Sequence, residues 1–236
     1  MNVIELFSSP TIWTSLINIM LVNIVLSGDN AVVIALAAHA LPAKQQRAAI
    51  VFGSAAAIAM RTILTIFAIK LLVLPYLKII GGILLFYIAV KLMAHQHRTG
   101  NVDTGATVGA AIRTILLADL VMSLDNVLGV AAASRGNLLL LVAGLVLSVP
   151  LIVFGSTFVL KIMKKFPIFI VLGAALLGYL GGEMFISDVA IHTWVSENLP
   201  NEQFSLIGNA IRVSISGAIC AIGAAGIGAW RAKKEY

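Results

Sequence analysis

The chain has 236 residues, of which 60% are hydrophobic and 11% charged, and carries a formal net charge of +6. Its mean hydropathy of +1.04 lies outside the range of ordinary soluble domains and leaves little room for one. The few basic residues are scattered between apolar runs without interleaved aromatics, which argues against nucleic acid as a partner, and the single cysteine, Cys220, leaves neither an intramolecular disulfide nor a thiolate metal cluster.

A helix crosses the hydrocarbon layer with about 20 apolar residues. Apolar runs of that length predict an all-α, polytopic membrane protein, one membrane domain over 1–236 with seven transmembrane helices. The first is expected at 12–39; Met1–Thr11 carries Glu5, no basic residue and no small-residue cleavage pattern, so it reads as a retained span and not a signal peptide. Leu41-Pro42 separates it from a helix at 45–72, and Leu74-Pro75 introduces the next at 76–95. After Thr99-Gly100-Asn101 come 108–134 and, past Arg135-Gly136-Asn137, 137–161; Phe166-Pro167 opens 167–189, and Leu199-Pro200-Asn201 precedes 206–230.

Lys44, Arg47, Arg98, Lys161, Lys164, Lys165, Arg231, Lys233 and Lys234 occupy alternate connections and the C-terminus, which places the C-terminus in the cytoplasm and the N-terminus outside the cell membrane. The sequence also repeats. Asn23-Ile-Val-Leu-Ser27-Gly-Asp29-Asn30 aligns with Asp119-Leu-Val-Met-Ser123-Leu-Asp125-Asn126, and Pro75, Gly81, Leu84, Leu85 and Tyr87 align with Pro167, Gly173, Leu176, Leu177 and Tyr179. Three helices per copy, at 12–95 and 108–189, is an odd number, so the copies are expected to be inverted in the membrane, with the helix at 206–230 standing outside the repeat.

Ionisable residues at membrane depth cost several kcal/mol and mark function by default. Asp29, Asp119 and Asp125 are such residues. Asn23, Ser27 and Asn30, and again Asp119, Ser123 and Asn126, fall at i, i+4 and i+7, giving each helix one polar stripe. Asp29 and Asp125 stand about 100° off that stripe on an ideal helix and would join it where the helix opens locally, as Ser-Gly-Asp-Asn permits at Gly28 and Leu124 favours less. Oxygen donors of this kind, without Cys or His, select hard divalent cations such as manganese, magnesium or calcium. The candidate metal ligands are therefore Asp29, Asn30, Asp125, Asn126, Asp119 and Asn23, with Glu183 added because it aligns with Lys91 and could gate or accept a proton. The alternative for the aspartates is ion pairing with Arg61, Arg113 or Lys70, evenly weighted for Asp119; Arg61 is read as a charge balance for an empty site or a snorkelling group. Met122 is a soft donor at best and more often core, and His95-Gln-His97 reads as a solvated loop.

The two blocks Ser27-Gly-Asp29-Asn30 and Ser123-Leu-Asp125-Asn126, at matching places in two halves, resemble the TerC family of integral membrane proteins over roughly residues 12–189. That resemblance implies a membrane fold related to lysine exporters, links to manganese export and tellurium resistance, and metal binding at Asp29, Asn30, Asp125 and Asn126. No Walker-type Gly-Lys-Ser/Thr motif occurs, so the expectation is a secondary transporter exporting Mn2+ on a proton or other ion gradient, without a resident cofactor or enzymatic activity and open to homo-oligomer formation. The alternatives are a calcium or cationic amino-acid exporter, a helper delivering metal to secreted proteins, or an intramembrane aspartyl protease using Asp29 and Asp125 as a dyad.

Overall fold

A computed structural model describes residues 16–17, 20–21, 28–72, 74–94, 107–133, 138–199, 203–206 and 211–234. The elements among the described residues are helices, except for one short pair of strands. Its elements are α1 (Gly28–His39), α2 (Ala43–Leu72), α3 (Leu77–Ala94), α4 (Val108–Ala133), α5 (Leu138–Lys165), α6 (Ile168–Ile186), α7 (His192–Asn198), β1 (Gln203–Leu206), β2 (Ile211–Ser214) and α8 (Ile215–Lys234). Among the described residues, five stretches are long and apolar enough to cross a bilayer: Ala43–Phe67, Leu77–Ala94, Leu141–Lys165, Ile168–Ile186 and Ile215–Ala232. Their outward faces carry large apolar side chains such as Phe52, Ile80, Phe154 and Ile222, as lipid contact requires.

The helices sort into two packed groups. α2 runs along α4, and α1 packs on α5, α4 and α2; α3 packs against α6, and α8 closes over both. Small residues set these distances. A Cβ on Gly82 would collide with the Gly181 carbonyl oxygen, so α3 and α6 touch backbone to backbone. Without a hydrophobic drive between helices in lipid, such close approach is what supplies packing energy.

The ends of the helices differ from expectation in instructive ways. The sixth helix ends at Ile186, not 189, because Asp188 turns away from it and binds the start of α3. Its carboxylate accepts from the backbone N–H groups of Tyr76 and Lys78, both at 2.9 Å, Ile79 at 3.3 Å and Ala190 at 2.8 Å. Tyr76 has a positive φ of 68°, a conformation costing roughly 1–2 kcal/mol for a bulky residue, and the bond from its N–H to Asp188 offsets that strain. The last helix begins at Ile215, not 206. Gln203-Phe-Ser-Leu and Ile211-Arg-Val-Ser alternate polar and apolar residues, a period of two that suits a strand, and they pair antiparallel with Phe204 opposite Val213.

Candidate cation site

The polar interior lies where α1, α2 and α4 meet. Gly28 opens the described part of α1, and Asp29 follows it in the first described turn. The backbone N–H of Asn30 donates to Asp29 Oδ1 at 2.8 Å. Asp29 is half-buried and within electrostatic reach of both Arg61 and Asp119. Asn30 is 3% exposed, and among the described residues neither its Oδ1 nor its Nδ2 has a hydrogen-bond partner. Leaving an amide unpaired in an apolar interior costs about 1–3 kcal/mol per group.

Asp119 is engaged. Arg61, buried at 1% exposure on α2, pairs through Nη2 with Asp119 Oδ1 and donates through Nε to Ser123 Oγ at 2.9 Å. Ser123 donates in turn to Asp119 Oδ2 at 3.2 Å, closing a ring of three side chains across α2 and α4. This arrangement favours the pairing alternative for Asp119, with Arg61 as a partner; Arg113 is exposed on α4. Ring closure follows from sequence geometry, since Asp119 and Ser123 are one turn apart on one face of α4.

Glu183 stands in a different place. Tyr179, one turn earlier on α6, donates to its Oε1 at 2.9 Å, and the Tyr179 hydroxyl accepts from the Ser214 N–H at 3.1 Å, so Glu183 belongs to the junction of α6 with the hairpin. Among the described residues no hydrogen bond links it to Asp29 or Asp119, and no three His, Cys, Asp or Glu side chains gather as a metal cluster. Asn23 lies outside the described residues, as do His95, His97 and the side chains of Asp125, Asn126 and Lys70. The backbone around Asp125 is described: α4 continues as helix through Ser123-Leu124-Asp125-Asn126 to Ala133. Met122 packs in the apolar core. Two features escaped sequence reasoning, the Asp188 clamp and the buried hydroxyl of Ser54; the second was readable from its place seven residues before Arg61 on α2.

Apolar spans around a buried ion pair and an unpartnered amide define a polytopic α-helical membrane protein with a polar interior. The chain belongs to the TerC family of integral membrane proteins, whose model matches residues 8–230. It is 44% identical over 184 residues to the uncharacterized membrane protein YjbE of Bacillus subtilis (strain 168), a match covering 78% of this chain and 84% of that one. It is 24% identical over 208 residues to the UPF0053 inner membrane protein YoaE of Escherichia coli (strain K12), covering 80% of this chain but 40% of that protein. The uncharacterized membrane protein YceF of Bacillus subtilis is 25% identical over 151 residues, covering 60% of this chain and 59% of its own length. No solved structure matches the chain.

Proposed function

We propose that the chain is a secondary transporter that exports a divalent cation, manganese foremost, on an ion gradient supplied by protons. The ion is held between two inverted three-helix repeats of a seven-span protein whose N-terminus is outside and whose C-terminus is cytoplasmic. Asp29 and Asp125 are its charged ligands, Asn30 and Asn126 its neutral ones. The observation that carries the proposal is Asn30: a 3% exposed amide with neither polar atom partnered among the described residues, directly following the Asp29 carboxylate on α1. An orphaned carbonyl oxygen beside a carboxylate is what a site for a hard cation consists of before the cation arrives.

Charge balance supports the same ligand set. Arg61 takes the charge of Asp119, so Asp119 acts as the holder of Arg61 and not as a ligand, and Asp29 and Asp125 remain to match a doubly positive cargo. Glu183, bonded at the hairpin junction, serves outside this site. Metal and proton compete for the same carboxylate oxygens, which makes exchange of one for the other the natural coupling.

Flux in liposomes under an imposed pH gradient tests this, with manganese, calcium and magnesium compared side by side. Asp29→Asn and Asp125→Asn should each abolish manganese movement in protein that still folds. Parent-like manganese flux in either variant refutes the ligand assignment, and flux of calcium alone transfers the cargo to calcium.

A further inference from the structure

Ser54 lies in the first half of α2, 1% exposed, and its Oγ has no hydrogen-bond partner among the described residues. A serine or threonine inside a helix ordinarily bonds its hydroxyl to a carbonyl three or four residues earlier. Four others in the described spans follow that habit: Thr62 bonds to Ile58, Thr65 to Arg61, Ser148 to Leu145 and Ser156 to Ile152. Ser54 departs from it, and so keeps a buried oxygen available at a cost that a bound guest would remove.

Its position gives a second, independent observation. α1 and α2 are packed neighbours joined by the short turn at residues 40–42, so they run antiparallel. Asn30 precedes the end of α1 at His39, and Ser54 follows the start of α2 at Ala43, by nearly equal lengths of helix. At about 1.5 Å per residue their levels differ by only about 3 Å. The two buried side chains left without partners among the described residues therefore stand at one depth on adjacent helices. Along α2, Ser54 shares the line of Arg61 two turns deeper, while at the turn end Gln46 bonds the Leu41 carbonyl at 2.9 Å and accepts from Lys164.

We infer that Ser54 Oγ is a neutral oxygen ligand which, with Asn30 Oδ1, forms a station at the depth of Asp29 where a divalent cation exchanges part of its water for protein oxygens. This rests on the cation-transport reading above and adds α2 to the helices that supply donors. A hydroxyl and an amide carbonyl are hard donors that bring no charge, so they replace hydration water without disturbing the charge match at the aspartates.

The test is Mn2+ binding to the full-length detergent-solubilised chain, read by electron paramagnetic resonance titration of free Mn2+, with flux in liposomes and metal-free melting measured in parallel. Ser54→Ala should weaken Mn2+ binding about tenfold, the size of effect that supporting groups of metal sites have, with metal-free Tm unchanged or higher; Ser54→Thr should keep parent affinity. Equal affinity of Ser54→Ala and the parent overturns the inference. So does a loss that Ser54→Thr fails to restore while metal-free Tm falls, which assigns Ser54 to packing. A parent that binds Mn2+ but moves none sinks the transport reading alone, with Ser54 still judged by the titration. A parent that binds no Mn2+ at millimolar concentration sinks both.

Discussion

Replacing Arg61 separates structural charge from functional charge. Its guanidinium is fully enclosed and bonded to Asp119 and Ser123. Arg61→Met leaves the Asp119 carboxylate buried with Ser123 as its one hydrogen-bond donor in the ring, and breaking a buried pair from one side costs about 3–5 kcal/mol. At 2–4 °C per kcal/mol for a chain of this size, Tm should fall by on the order of 10 °C. Arg61→Met combined with Asp119→Leu substitutes apolar groups for the whole pair, a change that is often neutral or stabilising, so the double variant should melt within a few degrees of the parent. Thermal melting in detergent of the parent, Arg61→Met, Asp119→Leu and the double variant, followed by gel filtration of the surviving protein, measures all four corners of the cycle. Additive single effects, or a Tm of Arg61→Met no lower than that of the double variant, would refute the closed ring. The same double variant discriminates the role of Asp119: manganese flux should survive if Asp119 only holds Arg61, and disappear if Asp119 is a ligand.

Other perturbations read separate parts of the molecule. Burial works to raise the pKa of Asp188, and the backbone N–H groups of Ala190, Tyr76, Ile79 and Lys78 more than reverse it, so the carboxyl titrates below its ordinary value near 3.9. A depressed folded-state pKa means that the stabilisation is complete above the unfolded value and is lost as pH falls through the folded one. The Tm advantage of the parent over Asp188→Asn should therefore be flat from pH 7 to about 4.5 and shrink below about 3.9; a gap that widens in acid contradicts this. Gly82→Ala should cost about 1–3 kcal/mol, because its Cβ meets the Gly181 carbonyl oxygen and α3 must move off α6, and a parent-like Tm would deny that contact. Gly28→Ala meets nothing within 4 Å, so it should leave Tm unchanged or raise it, yet slow manganese flux if α1 opens at this residue; undiminished flux excludes the opening. Tyr179→Phe removes the acceptor of the Ser214 N–H and should speed hydrogen exchange there, an effect absent if the hairpin is held by other means.

Apolar length is the signal that sequence carries best, and the spans α2, α3 and α6 begin and end within a few residues of their expected limits. α5 runs on to Lys165, beyond the expected 161, because lysines at a helix C-terminus suit the dipole and reach out of the apolar layer along their stems. The hairpin was hidden since two strands of four residues carry too little periodicity to outweigh the apolar run that follows them. The ends of α6 and α3 depend on Asp188 reaching a backbone more than 100 residues away in sequence, a contact no local pattern encodes. Asp119 shows the same limit more sharply: spacing placed it on a stripe with Ser123, but only the packing of α2 along α4 brings Arg61 to it.

Arg61 also explains why two otherwise matching motifs are not equivalent. The first begins with the neutral Asn23 and the second with Asp119, and the second faces the buried cation of α2. A protein interior in lipid tolerates charge only in balanced sets. The added carboxylate and the guanidinium cancel, leaving one aspartate in each motif, Asp29 and Asp125, with its following asparagine. On the proposed reading, that residual charge of two is balanced by the cargo itself. Removing one of the two should therefore discriminate by ion charge: Asp125→Asn is expected to weaken divalent binding far more than any monovalent binding, and equal losses for Mn2+ and for a monovalent cation such as Tl+ would show that the aspartates do not set the charge of the site.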